Sequence, residues 1–304
     1  MFGTAWAWTD TNSIGVFLSG DSRRYVIRWG DGSRDVVLTN ADGDGYKFSG
    51  TFWHDYADGD YRIAIEQVDA GLPPLQLRAY LRAGATADLA LRGSRWGDMI
   101  RSGSGDDTLR GEDGADYLDA GAGADRLYGG AGRDLLRGGF GADVLLGGDD
   151  NDYLDGEEGD DRLRGEAGSD YLYGGAGDDL LDGGDGDDTV VGGDGRDRLT
   201  GGAGADIFQF DPVYSPGPLP ADERDTVMDF EQGMDQLFVG PWFSAPYAFI
   251  GTGAFVASGE GQVRYQAEGA YTYVEGDVDG NGSADVSFRL VGTIDLQASD
   301  FYAL

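Results

Sequence analysis

GGAGDDLLD at residues 174–182 runs directly into GGDGDDTVV at 183–191, and GGAGRDLLR stands in the same phase at 129–137. Extending that nine-residue phase from about Gly93 to Gln209 places an apolar residue at Ile100, Leu109, Leu118, Leu127, Leu136, Leu145, Leu154, Leu163, Leu172, Leu181, Val190, Leu199 and Phe208. Two residues before each stands an aspartate: Asp98, Asp107, Asp116, Asp125, Asp134, Asp143, Asp152, Asp161, Asp170, Asp179, Asp188, Asp197 and Asp206. The fourth position is glycine in eleven of the thirteen copies, failing only at Trp96 and Asp150. A flexible Gly/Asp linker could share this composition. It would have no reason to hold one apolar phase through every copy.

The pattern assigns each position a task. Three residues centred on the apolar one make a short strand whose middle side chain points inward. The six-residue GGxGxD stretch then reverses the chain, using the φ > 0 conformations that glycine reaches without strain. One nonapeptide is half a coil, two are a full coil, and alternate strands stack into two parallel sheets. At ~4.8 Å per coil such a β-roll is roughly 30 Å long. Its interior is thin. One buried Leu contributes ~2 kcal/mol, whereas ordering nine residues costs ~1.5 kcal/mol apiece.

The charge supplies what the core lacks. The formal net charge is −34, which repels nucleic acid and anionic membranes. Residues 93–208 hold 29 Asp or Glu against 10 Arg, an excess that about ten divalent ions would neutralise. Aspartates 18 residues apart, such as Asp116 with Asp134 and Asp125 with Asp143, fall on one edge in successive coils. Between them a cation can take carboxylate oxygens together with turn carbonyls, for which Gly130, Gly132, Gly139, Gly141, Gly175, Gly177, Gly184 and Gly186 are the candidates. Oxygen donors at 2.3–2.6 Å suit Ca²⁺. Thirteen copies allow at most eleven such pairs. Binding free energy then becomes folding free energy.

GGxGxDxUx, with U apolar, resembles the repeats-in-toxin (RTX) nonapeptide, which forms a calcium-binding parallel β-helix. The resemblance implies a chain unfolded inside the cell and folded outside, where calcium is abundant. Downstream, Asp225-Thr-Val-Met-Asp-Phe230, Phe249-Ile-Gly251, Gly253-Ala-Phe255 and the run from Gly276 to Asp285 resemble the C-terminal domain of serralysin-type metalloproteases. That implies an antiparallel β cap protecting the last coil's edges. Asp277, Asp279, Asn281 and Asp285 around Gly282 resemble a calcium loop that lacks the closing bidentate Glu of an EF-hand, adding one ion in the cap. Asp300, Phe301, Tyr302, Ala303 and Leu304 resemble the uncleaved export signal read by type I secretion machinery. The start, Met1-Phe2-Gly3-Thr4-Ala5-Trp6, lacks the basic residues and apolar run of a secretory signal peptide. No apolar run is long enough to span a membrane. The expected location is extracellular.

Residues 1–88 alternate polar and apolar in Tyr25–Trp29, Val36–Thr39, Tyr46–Trp53 and Tyr61–Ile65, a strand pattern at β-sandwich spacing. Trp29-Gly-Asp-Gly-Ser33, His54-Asp-Tyr56 and Gly59-Asp-Tyr61 resemble polycystic-kidney-disease-type (PKD) modules. Such modules serve as spacers or contact polysaccharide or protein. The expected organisation is all-β: a PKD-like sandwich over 1–88, the roll over 89–209 and a serralysin-type cap over 210–304. Asp31 fits a local turn better than a ligand role. Trp6, Trp8, Trp29, Trp53, Trp96 and Trp242 fit core packing better than a sugar platform. His54 is the single histidine and there is no cysteine. Neither an H-E-x-x-H zinc site nor a thiolate site can be assembled, and a Ser-His-Asp triad would have to use a residue already placed in the HxY pattern. No catalytic residue is assigned. The rival expectation is the accessory, secretion or stabilising part of an extracellular hydrolase acting on protein or polysaccharide.

Overall fold

The structure, a computed structural model, describes residues 88–93, 95, 97–210, 224–240 and 247–302 in full, together with the backbones of six earlier strands. Expectations at Asp31, Tyr56, Gly59, Trp6, Trp8, Trp29, Trp96 and Trp242 lie outside the described residues, as do the side chains of Trp53 and His54. The described residues are nearly all β, with a single 3-10 turn at Ala298–Asp300. No described helix is long and apolar enough to cross a membrane. The chain forms two compact units, Met1–Gly141 and Ala142–Leu304.

In the first unit, Tyr117–Ala122 pairs in parallel with Leu135–Phe140 and with Met99–Arg101, while Arg126–Ala131 pairs with Thr108–Asp113, which pairs with Leu89–Arg92. Each strand thus skips its sequence neighbour and joins the one 18 residues away. The register sets Leu118 against both Leu136 and Ile100. Upstream, Tyr61–Gln67 and Gln76–Leu81 add in parallel to Leu89–Arg92 and Met99–Arg101. These two strands also pair antiparallel with Arg24–Arg28 and Ser13–Gly20, which in turn pair with Arg34–Leu38 and Phe48–Asp55. The N-terminal strands therefore continue the sheets of the roll across residue 88.

The second unit repeats the arrangement. Val144–Asp149, Arg162–Ala167, Leu180–Asp185 and Arg198–Ala203 form one parallel sheet; Tyr153–Glu158, Tyr171–Ala176, Thr189–Asp194 and Ile207–Phe210 form the other. The winding does not stop at 209. Thr226–Val227 and Gln236–Val239 each add one more parallel rung. Val286–Val291 pairs in parallel with Thr226–Val227, and an antiparallel run through Tyr271–Asp277 to Gln262–Glu268 closes that edge. Phe210 stacks on Phe288 with ring centroids 3.6 Å apart, joining the roll's interior to the cap's.

All thirteen apolar positions of the repeat are buried. Val227 and Leu237 extend the row with no exposed surface. The strands are longer than the expected three residues. They run for six and include the first three turn positions, with the ladder passing over the first of these, as between Arg164 and Glu166. The chain bends at that residue and still pairs beyond it, so the reversal is confined to three residues.

Glycine at the second repeat position has two causes. Gly184 has φ +114°, and a Cβ there would collide with the carbonyl oxygen of Glu166, one coil earlier. Glu166 occupies the same repeat position with φ 78°, a left-handed conformation that costs a residue with a side chain about 1 kcal/mol or more. Replacing Glu166 with Gly is expected to raise unfolding stability by ~1 kcal/mol. Gly184→Ala is expected to lower it by more than that. Thermal melts of the two variants in saturating calcium check the opposite signs.

Candidate metal centres

Sequence spacing brings aspartates to one edge, and backbone pairing sets how their carboxylates are used. In the first unit the Asp98 N–H donates to Oδ1 of Asp116 at 2.6 Å, Asp107 to Asp125 at 2.6 Å and Asp116 to Asp134 at 2.7 Å. In the second unit six more pairs repeat the bond at 2.7–2.9 Å: Asp143 to Asp161, Asp152 to Asp170, Asp161 to Asp179, Asp170 to Asp188, Asp179 to Asp197 and Asp188 to Asp206. Asp125 and Asp143, paired by spacing, fall in different units. One oxygen of each pair is therefore committed to a neighbouring coil's backbone.

The other oxygen is buried without a hydrogen-bond donor on Asp116, Asp161, Asp170, Asp179, Asp188, Asp197 and Asp206. It lies over the α-carbon of the first glycine of its own turn, and on Asp116, Asp161, Asp170, Asp179 and Asp188 also beside the carbonyl oxygen of the equivalent glycine one coil on. At Gly93 a Cβ would stand 2.6 Å from Oδ2 of Asp98 and 2.5 Å from the oxygen of Gly111. Gly111 repeats this with Asp116 and Gly129, Gly156 with Asp161 and Gly174, and Gly174 with Asp179 and Gly192. A missing methyl thus leaves a space bounded by a carboxylate and a carbonyl oxygen, of the radius calcium–oxygen bonds take. The donors are all oxygen and the residues fit Ca²⁺.

The second- and fourth-position carbonyls expected as ligands belong to the same turns. The carbonyls of Gly175, Gly177, Gly184 and Gly186 pack against the α-carbons of Gly193, Gly195, Gly202 and Gly204 in the next coil. Gly130, Gly132, Gly139 and Gly141 receive the carbonyls of Glu112, Gly114, Gly121 and Gly123 in the same way. The first-position carbonyls, including those of Gly111, Gly129, Gly174 and Gly192, share the space with Oδ2. A signal for them exists in the sequence. The first position holds a small residue in every copy, and Ser102 and Ala120 stand there beside eleven glycines, which marks a need for room more than for φ > 0.

Two further aspartates continue the ladder at irregular spacing. The Asp197 N–H donates to Oδ1 of Asp225 at 2.9 Å and the Asp206 N–H to Oδ1 of Asp235 at 3.1 Å. Their signature is the D-x-U triplet itself, Asp225-Thr-Val227 and Asp235-Gln-Leu237, displaced by an insertion that breaks the nine-residue count. A second row, at the position before each ladder aspartate, also links coils. Oδ1 of Asp106, Asp160 and Asp178 accepts the N–H of Ala124, Asp178 and Arg196.

In the cap, carboxylate oxygens of Asp277, Asp279 and Asp285 lie within 4.8 Å of one another. Asn281, expected as a ligand, stands in the same loop. Its Nδ2 donates to Asp279 and its Oδ1 accepts the Ser283 N–H at 2.8 Å, so it closes the loop. Asp277 is fully buried, and that burial raises its pKa. At the C-terminal end, Oδ2 of Asp300 accepts from Gln232 and from the Gln297 N–H, Phe301 is buried opposite Leu237, and the Tyr302 N–H donates to the Leu237 carbonyl. Ala303 and Leu304 lie outside the described residues.

Residues 97–211 match the family of the RTX calcium-binding nonapeptide repeat, in overlapping stretches 97–127, 119–154, 128–163, 155–190 and 182–211. Among solved structures, the chain is similar to the solution structure of the AlgE6R3 subunit from the Azotobacter vinelandii mannuronan C5-epimerase. The identity is 28%, over 56% of this chain and 77% of that one, with a TM-score of 0.28. No curated protein matches the chain.

Burial, reinforced by like charges on neighbouring coils, pushes Asp116 up to about 8 and Asp161, Asp179 and Asp188 up to about 7. These carboxyls hold protons in the metal-free fold that they release in the unfolded chain, where the ordinary value is 3.8. Stability of the metal-free roll is therefore present below about pH 4 and lost as pH rises toward 7–8. In chelator, far-UV circular dichroism is expected to show more β structure at pH 4 than at pH 8. With calcium present the acid requirement is expected to vanish.

Proposed function

We propose that this chain is a secreted, non-enzymatic calcium-binding RTX protein that folds when Ca²⁺ binds after type I export, leaving residues 1–88 to contact an extracellular polysaccharide or protein. The observation that carries the reading is the row of buried aspartate oxygens without donors, five of them, on Asp116, Asp161, Asp170, Asp179 and Asp188, beside a carbonyl oxygen. Water cannot satisfy them in place, and an unpaired buried carboxylate costs several kcal/mol. A divalent cation removes that cost and joins two coils. At neutral pH the same row keeps the metal-free chain open, which suits passage through a secretion channel in an unfolded state. The low-calcium interior and high-calcium exterior then set the direction of folding.

The chemistry of the described surface supports a binding role. A furrow of about 860 Å³ in the second unit is lined by Asp160, Asp178, Arg162, Arg196 and Arg198 alongside ladder aspartates. It alternates charge along the coils, whereas small-molecule catalytic sites are mostly apolar with a few convergent polar groups. The folded protein is expected to show no turnover on peptide, ester or polysaccharide substrates. Turnover abolished by mutating a single carboxylate would move the chain to the rival class, part of an extracellular hydrolase.

The calcium mechanism has its own check. Circular dichroism at pH 7.5 is expected to report a disordered spectrum in chelator and a β spectrum in millimolar Ca²⁺. Mg²⁺ is expected to be much less effective, because it sheds water reluctantly and demands octahedral geometry. A spectrum unchanged between chelator and calcium would overturn the reading.

A further inference from the structure

On the outer face of one sheet of the second unit, cross-strand pairing lines up a single row of side chains. The register sets Arg162 against Leu180, Leu180 against Arg198, Arg198 against Thr226, Thr226 against Arg289 and Arg289 against Tyr273. Along the roll these residues stand next to the buried Leu163, Leu181 and Leu199, so their side chains point away from the core. An arginine thus occupies every second strand, at two strand spacings or about 9.6 Å. Between the first two lies Leu180, with 41% of its surface exposed.

In a chain with 56 acidic residues and 22 basic ones, carboxylates are within easy reach of any arginine. Neighbouring arginines take them: Arg164 pairs with Asp182 at 3.1 Å and Arg196 with Asp178 at 2.6 Å. Among the described residues, Arg162, Arg198 and Arg289 form no ion pair. Arg162 and Arg198 are exposed. Arg289 is held in place, its Nε donating to Thr226 Oγ1 at 2.8 Å and its guanidinium lying 4.6 Å from the centre of the Tyr271 ring.

The furrow of the second unit is lined by this row, by Arg196 and by five aspartates, Asp160, Asp161, Asp178, Asp179 and Asp197. With every group ionised and no metal, carboxylates outnumber guanidiniums there. Asp161, Asp179 and Asp197 belong to the ladder, so calcium takes up their charge. Asp178 is matched by Arg196. Of the five, Asp160 alone then stands against the three arginines of the row. Calcium therefore reverses the sign of the furrow, besides stacking the coils that space the arginines.

We propose that this row is a docking strip for a linear acidic polysaccharide carrying a carboxylate on each sugar, and that calcium switches it on. The planar guanidinium fork matches a carboxylate bidentately. A sugar ring linked through opposite ends is about 5 Å long by ordinary bond lengths, and in a two-fold chain every second carboxylate faces the same side. Such a polymer presents its charges at the arginine spacing and lays the apolar face of the ring between them on Leu180. An extended acidic peptide repeats its same-side carboxylates about every 6.8 Å and is out of step by the second arginine. The proposal rests on the calcium reading above and adds a ligand class on the roll itself.

The test is calorimetry on the full chain in millimolar Ca²⁺ with a hexamer of β-1,4-linked glucuronic acid. Binding is expected, whereas cellohexaose, the same backbone without carboxylates, is expected not to bind. Arg162→Gln combined with Arg198→Gln is expected to weaken glucuronate binding about tenfold. Arg264→Gln, at a cap arginine paired with Glu275, is expected to leave it unchanged. No binding by the parent chain, equal binding of cellohexaose, or parent-like binding by the double variant would overturn the strip. Equal binding of a polyglutamate peptide would overturn the polysaccharide assignment in favour of an acidic protein partner. Should the double variant lose its calcium-dependent β spectrum, salt decides on the parent chain: affinity is expected to fall as salt rises, and salt-independent binding counts against the strip. A parent chain whose spectrum ignores calcium would sink the underlying reading itself, an outcome distinct from all of these.

Discussion

Asp161, Asp170, Asp179 and Asp188 each divide their carboxylate between two partners, and the structure depends on that division. One oxygen accepts a backbone N–H from the coil before it, within hydrogen-bond range. The other is held in a dry space with a carbonyl oxygen and no donor. The first contact favours the charged carboxylate. The second is repulsive unless a cation or a proton intervenes. Pairing of strands and binding of metal are therefore written into the same side chain, so a coil cannot be correctly stacked and electrostatically relaxed without the ion.

This arrangement explains why so small a core suffices. A single row of side chains such as Leu172 and Leu181, fully buried, fixes which way the strands face but contributes too little to offset the ordering of nine residues per copy. The stabilisation comes from the rim. Crowding carboxylates there would be ruinous in a protein that had to fold without metal. Here burial and then the crowding of like charges make the metal-free state unfavourable at neutral pH, and the raised pKa values of Asp161 and Asp188 are their signature.

Much of the roll was legible because its constraints are local and periodic. The apolar residue, the aspartate two before it and the turn glycines recur at fixed phase, and the coils follow. What escaped was anything set by contact between coils. The carbonyl that meets Oδ2 comes from the first turn position, as the Gly174 oxygen does beside Asp161. Composition cannot separate the turn positions, since glycine fills all of them for different reasons: conformation at Gly184, room at Gly156. Nor does the spacing that marks Asn281 show that its oxygen accepts the Ser283 N–H. The expected boundaries near 88 and 209 follow the ends of the nonapeptide pattern; strand pairing itself also extends to Tyr61–Gln67 and Thr226–Val227.

The irregular end of the ladder shows which part of the repeat carries the structure. Between Asp206 and Asp225 the nonapeptide rhythm is lost, and with it the glycines that make the tight turn. Only Asp-x-apolar survives, as Asp225-Thr-Val227 and Asp235-Gln-Leu237. That triplet still brings its aspartate onto the Asp197 or Asp206 N–H and its apolar residue into the buried row. The glycines shape the return path between rungs; the triplet defines the rung. A longer return path changes the entropy of closing the loop only slowly with length, so insertions between rungs are tolerated where changes within the triplet are not. A chain built this way can attach a cap of unrelated antiparallel strands to its last coil and keep the carboxylate row unbroken across the join.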